Sequence, residues 1–123
     1  MAKVMIVDDS ETLRLSVKKM LETGGLEVLE ADNGAKGLEV FRDNAEVIKL
    51  ILTDYNMPEM DGIAMVRKIR ELPKGADVAV FMLTTESSPD LKALGKEANV
   101  KAWVTKPFNE EKLIVAIKKM MAV

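Results

Sequence analysis

Short runs of apolar residues alternate along the chain with longer segments in which apolar residues recur every three or four positions. Three of the runs are uninterrupted: Val4–Val7, Leu50–Leu52 and Val78–Leu83. Runs of this kind are typical of parallel strands that are covered by helices on both faces. The pattern therefore predicts three central strands of a parallel sheet.

Two more strands are predicted where apolar and polar residues mix. These segments are Glu27–Ala31 and Lys101–Thr105. A mixed pattern indicates that one face or edge of a strand meets water. We therefore expect these two strands at the edges of the sheet.

Between the predicted strands, apolar residues recur at the spacing of one buried helix face. The predicted stripes are Leu13, Val17, Met20 and Leu21; Leu38, Phe41 and Ala45; Ile63, Val66 and Ile69; Leu91, Leu94 and Ala98; and Leu113, Ile117, Met120 and Met121. Asp61 is expected to cap the third helix, and Ser88 the fourth. The alternation predicts an α/β domain with a doubly wound, five-stranded parallel sheet and five helices.

Length and charge narrow the function classes. A chain of 123 residues fits one domain over residues 1–123, with an ordinary hydrophobic core. Its 18 basic and 20 acidic residues give a net charge of −2, so nothing favours nucleic acid or an anionic membrane as partner. The first apolar run is too short for a signal peptide or a membrane span, and we expect a cytoplasmic protein.

The residue types that are missing also limit the chemistry. The sequence contains no cysteine and no histidine. Thiol nucleophiles, Cys/His zinc sites, histidine-based triads and a phosphohistidine acceptor are therefore excluded. Any proton or metal chemistry has to use carboxylates, lysine or hydroxyl groups.

Polar side chains follow four of the five predicted strands. They are Asp8 and Asp9, Asp54, Thr84 and Thr85, and Lys106. The carboxyl ends of parallel strands form the usual ligand site of such a sheet. Alone, Asp8 and Asp9 would be interpreted as helix caps, but three converging carboxylates repel one another unless a cation neutralises them. An all-oxygen site of this kind suits Mg²⁺.

One of these carboxylates is a candidate nucleophile toward phosphorus. Asp54 stands at the tip of a central strand, whereas Asp8 and Asp9 begin a loop and are better placed to hold a metal. Phosphoryl transfer also needs a cationic side chain and a hydrogen-bond donor, roles that Lys106 and Thr84 can fill. The sequence therefore predicts an acyl phosphate on Asp54.

Four segments carry a resemblance to a known family. They are Ile6–Ser10, Thr53–Gly62, Leu83–Thr84 and Val104–Phe108. In order, spacing and identity they resemble the signature segments of CheY-like response-regulator receiver domains, and the resemblance spans essentially the whole chain. It implies a flavodoxin-like fold with the strand order 2-1-3-4-5, of which this family is itself a standard example.

The resemblance implies roles for the acidic residues. Asp54 would be the phosphoacceptor, with the phosphoryl group coming from a separate histidine kinase. Asp9 and Asp54 would ligate Mg²⁺ directly, together with the backbone carbonyl of Asn56. Asp8 would act on the metal mainly through water.

The resemblance also implies a switch. Thr84 would bind the phosphoryl group and Lys106 would pair with it. Trp103 stands where receivers usually carry an aromatic residue that turns inward when the threonine moves. The Lys106–Pro107 peptide would be cis.

Other positions concern phosphoryl lifetime and departures from the family pattern. Asn56 and Glu86 occupy the positions that tune hydrolysis, and both match chemotaxis-type receivers, which implies a short-lived phosphoryl state. Thr85 replaces a small residue and is expected to narrow the site or restrict the aromatic switch. Asn99 replaces the more usual glycine before the fifth strand. Gly62 is predicted to be a permissive turn residue.

Several functions remain open. A receiver would not be an enzyme beyond its own phosphorylation and dephosphorylation, and would act as a monomer on a target protein. That role is either chemotaxis, with the flagellar motor switch as candidate target, or a phosphorelay shuttle. A haloacid-dehalogenase-like phosphatase would need an acid where Asn56 stands. A flavin or nucleotide carrier would need a Gly/Ser/Thr-rich loop where Asp8 and Asp9 stand, and a pseudo-receiver would lack some of the chemical residues.

Overall fold

Five strands and five helices alternate in a computed structural model that describes residues 2–122. They are β1 (Lys3–Val7), α1 (Glu11–Thr23), β2 (Glu27–Ala31), α2 (Gly34–Asn44), β3 (Ile48–Thr53), α3 (Gly62–Arg70), β4 (Ala79–Thr84), α4 (Pro89–Glu97), β5 (Ala102–Thr105) and α5 (Glu110–Met121). All strand pairs are parallel and the order is β2-β1-β3-β4-β5. The predicted fold class and strand order are confirmed.

Burial along the strands agrees with their places in the sheet. Every residue of β4 is buried, and β1 and β3 are buried except at Lys3 and Lys49. The outer strands β2 and β5 are half-buried and expose Glu27 and Thr105. The mixed sequence pattern therefore identified the two edges correctly.

The sheet separates two apolar layers because successive side chains of a strand point to opposite faces. On one face, Val4 and Ile6 of β1 pack with residues of α1 and α5 such as Leu21 and Ile117. On the other face, the remaining apolar residues of β1 join those of α2 and α3, including Phe41. This two-layer core holds the strands at a fixed register, so that the carboxyl ends of neighbouring strands meet.

Three positions of the predicted helix stripes are wrong, because Leu13, Leu94 and Met120 are exposed by 43%, 39% and 44%. Leu13 lies in the first turn of α1 and Met120 in the last turn of α5. Leu94 lies on α4, whose only buried residue is Gly95. Helical spacing identifies a face, but not how far the neighbouring sheet covers it.

Local signals at the helix ends are as expected at most positions. The side chains of Asp61 and Ser88 each accept a hydrogen bond from the backbone N–H three residues later in the chain, at 2.8 and 3.2 Å. Both residues are therefore N-caps. Ser10 caps α1 in the same way, so Asp8 and Asp9 are not its caps. Asn99 has φ 62°, a left-handed conformation that asparagine tolerates better than most residues, which explains its use in place of glycine.

Within residues 2–122, none of the helices is both long enough and apolar enough to cross a bilayer.

Candidate functional site

The acidic residues converge because β1 and β3 are neighbours that end at the same level. The N–H of Asp54 donates to the carbonyl of Val7 at 2.9 Å, so the hydrogen bonding between β3 and β1 continues to the residue that follows β3. One carboxylate oxygen from each of Asp8, Asp9 and Asp54 lies within 4.8 Å of the others. The structure thus brings together the three carboxylates that the sequence assigned to a metal site.

Asp8 is the buried member of this acidic cluster. Its side chain accepts a hydrogen bond from the N–H of Ser10 at 2.9 Å and lies 3.4 Å from the Lys106 ammonium. Burial raises the pKa of Asp8 above its usual value near 3.8, while the Ser10 N–H and the Lys106 charge act in the opposite direction. Asp9, by contrast, is exposed. The cluster therefore presents one sheltered and one open carboxylate to a cation.

The two oxygens of Asp54 have different surroundings. Oδ1 accepts hydrogen bonds from the backbone N–H groups of Tyr55 at 2.8 Å and Asn56 at 3.4 Å. Oδ2 lies 3.8 Å from the Lys106 ammonium, with the side chain 13% exposed. The carboxylate is thus fixed on one side by the backbone and faces a cation on the other.

Gly62 packs directly against the backbone of Asp54. The prediction that it is a permissive turn residue is wrong. It is the first residue of α3 and does not have a positive φ. A Cβ atom there would overlap with the backbone carbonyl oxygen of Asp54. Glycine is needed because α3 begins directly against the backbone of the acidic residue.

Lys106 follows β5 and reaches the acidic residues that follow β1 and β3. Its own N–H donates to the carbonyl of Thr84 at 2.9 Å, and its ammonium reaches both Asp8 and Asp54. The peptide between Lys106 and Pro107 is cis, as the resemblance implied. Within residues 2–122, Lys106 is therefore the one cationic side chain in contact with two of the three carboxylates.

Thr84 and Trp103 are joined through a single loop residue. The buried Thr84 hydroxyl accepts from the Glu86 N–H at 3.2 Å, and the Glu86 carbonyl accepts from the Trp103 indole at 2.7 Å. The half-buried indole also packs against Tyr55, with 6.4 Å between ring centroids. Thr85 is exposed to solvent. A connection thus runs from the end of β4 to the surface of β5.

Sequence reasoning missed two residues near the site. Arg14 of α1 donates to the backbone carbonyl of Asp8 at 2.9 Å, and Tyr55 lies between the acceptor strand and Trp103. A signal for Arg14 existed in the sequence, because Arg14 and Lys18 are one helical turn apart and an acid, Glu30, stands between the apolar residues Leu29 and Ala31. No comparable pattern marks Tyr55.

The chain is similar to known signalling proteins over almost its whole length. Residues 4–118 match the response regulator receiver domain family. A chemotaxis protein CheY homolog of Campylobacter jejuni is 37% identical over 112 residues, which are 90% of this chain and 85% of that protein. The chemotaxis protein CheY of Bacillus subtilis is 31% identical and covers 97% of both chains.

A solved structure gives the same answer. The chemotaxis protein CheY4 of Vibrio cholerae superimposes with a TM-score of 0.89 at 37% identity, covering 98% of each chain. The sheet order, the acidic cluster and the matched segment agree with one another. This chain therefore belongs to the response regulator receiver domain family.

Proposed function

We propose that Asp54 accepts a phosphoryl group from a histidine kinase, and that the phosphorylated chain then regulates a target protein in chemotaxis. The observation that carries this proposal is the convergence at the strand ends. Three carboxylates lie within 4.8 Å of one another, and the Lys106 ammonium is 3.8 Å from Asp54 Oδ2. Negative charge of this density serves little structural purpose, because like charges repel unless a cation joins them.

The residues fit a magnesium ion. Carboxylate oxygens of Asp8, Asp9 and Asp54 lie together, and with the backbone carbonyl of Asn56 that the resemblance implies they would form a set of hard oxygen ligands without nitrogen or sulfur. The exposure of Asp9 leaves one side open for water or phosphate oxygens. When bound there, Mg²⁺ supplies positive charge that offsets the carboxylates and the incoming phosphoryl oxygens.

The protein's own contribution to phosphoryl transfer is position and charge. An oxygen of Asp54 would attack phosphorus while the phosphorus–nitrogen bond of the phosphorylated kinase histidine breaks, and the imidazole would keep that electron pair. The Tyr55 and Asn56 N–H groups hold the carboxylate in a fixed orientation. Lys106 then pairs with the charge on the transferred group.

Thr84 is proposed to report the arrival of the phosphoryl group. Its oxygen accepts from Glu86, so its hydroxyl hydrogen is free to donate to a phosphoryl oxygen. A shift of Thr84 toward that oxygen would disturb the Glu86 peptide, whose carbonyl holds the Trp103 indole. The state of Asp54 would thereby reach the surface around β5, where a target binds.

Asn56 and Glu86 are proposed to set a short phosphoryl lifetime. Asn56 is exposed and Glu86 is half-buried, so both residues are reached by solvent. Water that reaches the aspartyl phosphate can hydrolyse it. A short lifetime suits a signal that has to be reset quickly.

The chemotaxis assignment is supported by the names of similar proteins from Campylobacter and Bacillus. We propose a monomer that acts in the cytoplasm, with the flagellar motor switch as its target and a phosphorelay shuttle as the alternative role. A phosphatase of the haloacid-dehalogenase kind is disfavoured, because the carboxamide of Asn56 cannot act as the general acid and base that is required at this position.

Two phosphorus compounds test the proposal against the phosphatase alternative. Phosphoramidate carries a phosphorus–nitrogen bond like that of phosphohistidine, whereas p-nitrophenyl phosphate is an ester. We expect Mg²⁺-dependent phosphate release from phosphoramidate, lost in Asp54→Asn and retained in Asp32→Asn, which changes an exposed acid at the end of the neighbouring strand. Turnover of the ester, or equal loss in both variants, would contradict the proposal.

A further inference from the structure

The backbone of Asp8 is held on both sides by hydrogen bonds, one to β2 and one from α1. The N–H of Asp8 donates to the carbonyl of Ala31 at 3.2 Å. The carbonyl of Asp8 accepts from the Arg14 guanidinium at 2.9 Å. Both sides of the Asp8 residue are therefore tied to neighbouring elements, and the second tie is a long side chain rather than the sheet ladder.

Arg14 is itself fixed by an ion pair. Its Nε lies 3.0 Å from Oε1 of Glu30, and the two side chains are only 14% and 26% exposed. The second carboxylate oxygen of Glu30 pairs with Lys18 at 3.0 Å, farther toward solvent. Glu30 thus orients the guanidinium by pairing with its Nε, while Nη1 of the same group donates to the Asp8 carbonyl.

The orientation of this carbonyl determines where Asp9 begins. The carbonyl of Asp8 and the N–H of Asp9 belong to one planar peptide unit, so fixing one end fixes the plane and the position of the next Cα. Asp9 is exposed, and its side chain makes no hydrogen bond within residues 2–122. Its position is consequently set by its backbone.

We propose that Arg14 is a positioning residue for the Asp9 carboxylate, acting through the Asp8–Asp9 peptide, with Glu30 aiming the guanidinium. This inference rests on the proposed magnesium site. It assigns a role in metal affinity to a residue that touches none of the metal-facing carboxylate oxygens. Partners of this outer kind commonly change metal affinity by about 10–100-fold when they are removed.

Electrostatics makes the direction of the effect informative. Removing a positive charge near a cation site should strengthen Mg²⁺ binding, because repulsion between the two charges is lost. Loss of the positioning contact should weaken it. A weaker affinity after removal of Arg14 therefore reports geometry and not charge.

A Mg²⁺ titration followed by backbone amide chemical shifts provides the test. In Arg14→Met we expect about tenfold weaker binding and a displaced Asp9 amide signal in the metal-free protein. Lys18→Met is the matched control, because it removes the other partner of Glu30 without touching the Asp8 carbonyl, and should bind within about twofold of the unchanged chain. Glu30→Gln should fall between the two.

If Arg14→Met does not fold, Arg14→Lys keeps the charge but has no fork to contact both partners, and it should still weaken binding. Unchanged affinity in a folded Arg14 variant, or equal weakening in Lys18→Met, would overturn the inference while leaving the proposed function intact. Absence of Mg²⁺ binding by the unchanged chain would instead defeat the proposed function, and the inference with it.

Discussion

The indole nitrogen of Trp103 donates a 2.7 Å hydrogen bond to the backbone carbonyl of Glu86, which ties β5 to the loop after β4. The backbone N–H of Glu86 donates to the Thr84 hydroxyl. One peptide segment therefore connects a residue at the proposed phosphoryl site with an aromatic side chain at the surface. We therefore expect a change at either end to alter the hydrogen bonding at the other end.

Replacing Trp103 by phenylalanine should loosen this loop. Phenylalanine keeps an aromatic ring but has no N–H donor, so we expect faster hydrogen exchange at the Glu86 amide and a loss of about 1–2 kcal/mol in the free energy of unfolding. Tyr55→Phe is the control, because it removes only a hydroxyl and keeps the ring contact with Trp103. Unchanged exchange at Glu86 in Trp103→Phe would show that the bond does not hold the loop.

Gly62→Ala should damage the site as well as the fold. The added methyl group would overlap with the backbone oxygen of Asp54, so either α3 or Asp54 has to move. We expect a loss of about 2–3 kcal/mol in unfolding free energy and weaker Mg²⁺ binding.

Gly25→Ala is the matched control for Gly62→Ala. Gly25 has φ +89° and open space around it, so alanine is strained there without touching the site. It should lower stability yet leave Mg²⁺ affinity unchanged. If both alanine variants bind Mg²⁺ equally well, Gly62 does not support Asp54 as described.

The ion pair of Glu30 should make stability depend on pH. Lys18 and then Arg14 hold the pKa of Glu30 below its usual value near 4.5, against the opposing effect of burial. A lowered folded-state pKa gives stability that is present above the unfolded value and lost as the pH falls through the folded value. Glu30→Gln should therefore cost about 1 kcal/mol at neutral pH and nothing in strong acid.

Urea unfolding at a series of pH values measures this difference. Glu27→Gln on the same strand is the control, since Glu27 is exposed and forms no ion pair within residues 2–122, and its cost should be small at every pH. A cost of Glu30→Gln that stays constant into strong acid would mean that the charge of Glu30 contributes nothing.

Arg70→Met should destabilise the region between α3 and α4. The partly buried guanidinium donates to the carbonyls of Ala98, Gly75, Val78 and Asn99 at 2.6–3.2 Å. Its loss leaves several carbonyls without their charged donor, and we expect about 2–3 kcal/mol lower unfolding free energy. Arg67→Met, an exposed residue of the same helix, should cost far less. Equal costs would contradict the assigned role.

The strands and the acidic cluster were predictable because they depend on simple rules. Uninterrupted apolar runs such as Val78–Leu83 can only be buried strands or buried helices, and their length favours strands. Because the strands are parallel, Asp8 and Asp54 must both lie at the end of the sheet where the strands have their carboxyl ends. The strand order and the roles of Thr84 and Trp103 came from the family resemblance instead.

Other features were beyond sequence reasoning for physical reasons. Leu13 and Leu94 have helical spacing but are 43% and 39% exposed, because the coverage of a helix face depends on where the helix lies on the sheet. Arg70 acts by donating to backbone carbonyls, which every residue has, so no partner residue type reveals it. Gly62 could not be distinguished from a turn glycine, because close approach of two backbones leaves no trace in sequence.

The intact mass of the protein after incubation with Mg²⁺ and acetyl phosphate tests the central claim most directly. We predict the addition of one phosphoryl group that requires Mg²⁺, is absent in Asp54→Asn and is retained in Asp32→Asn. No added phosphoryl mass in the unchanged chain, or the same addition in Asp54→Asn, would contradict the account.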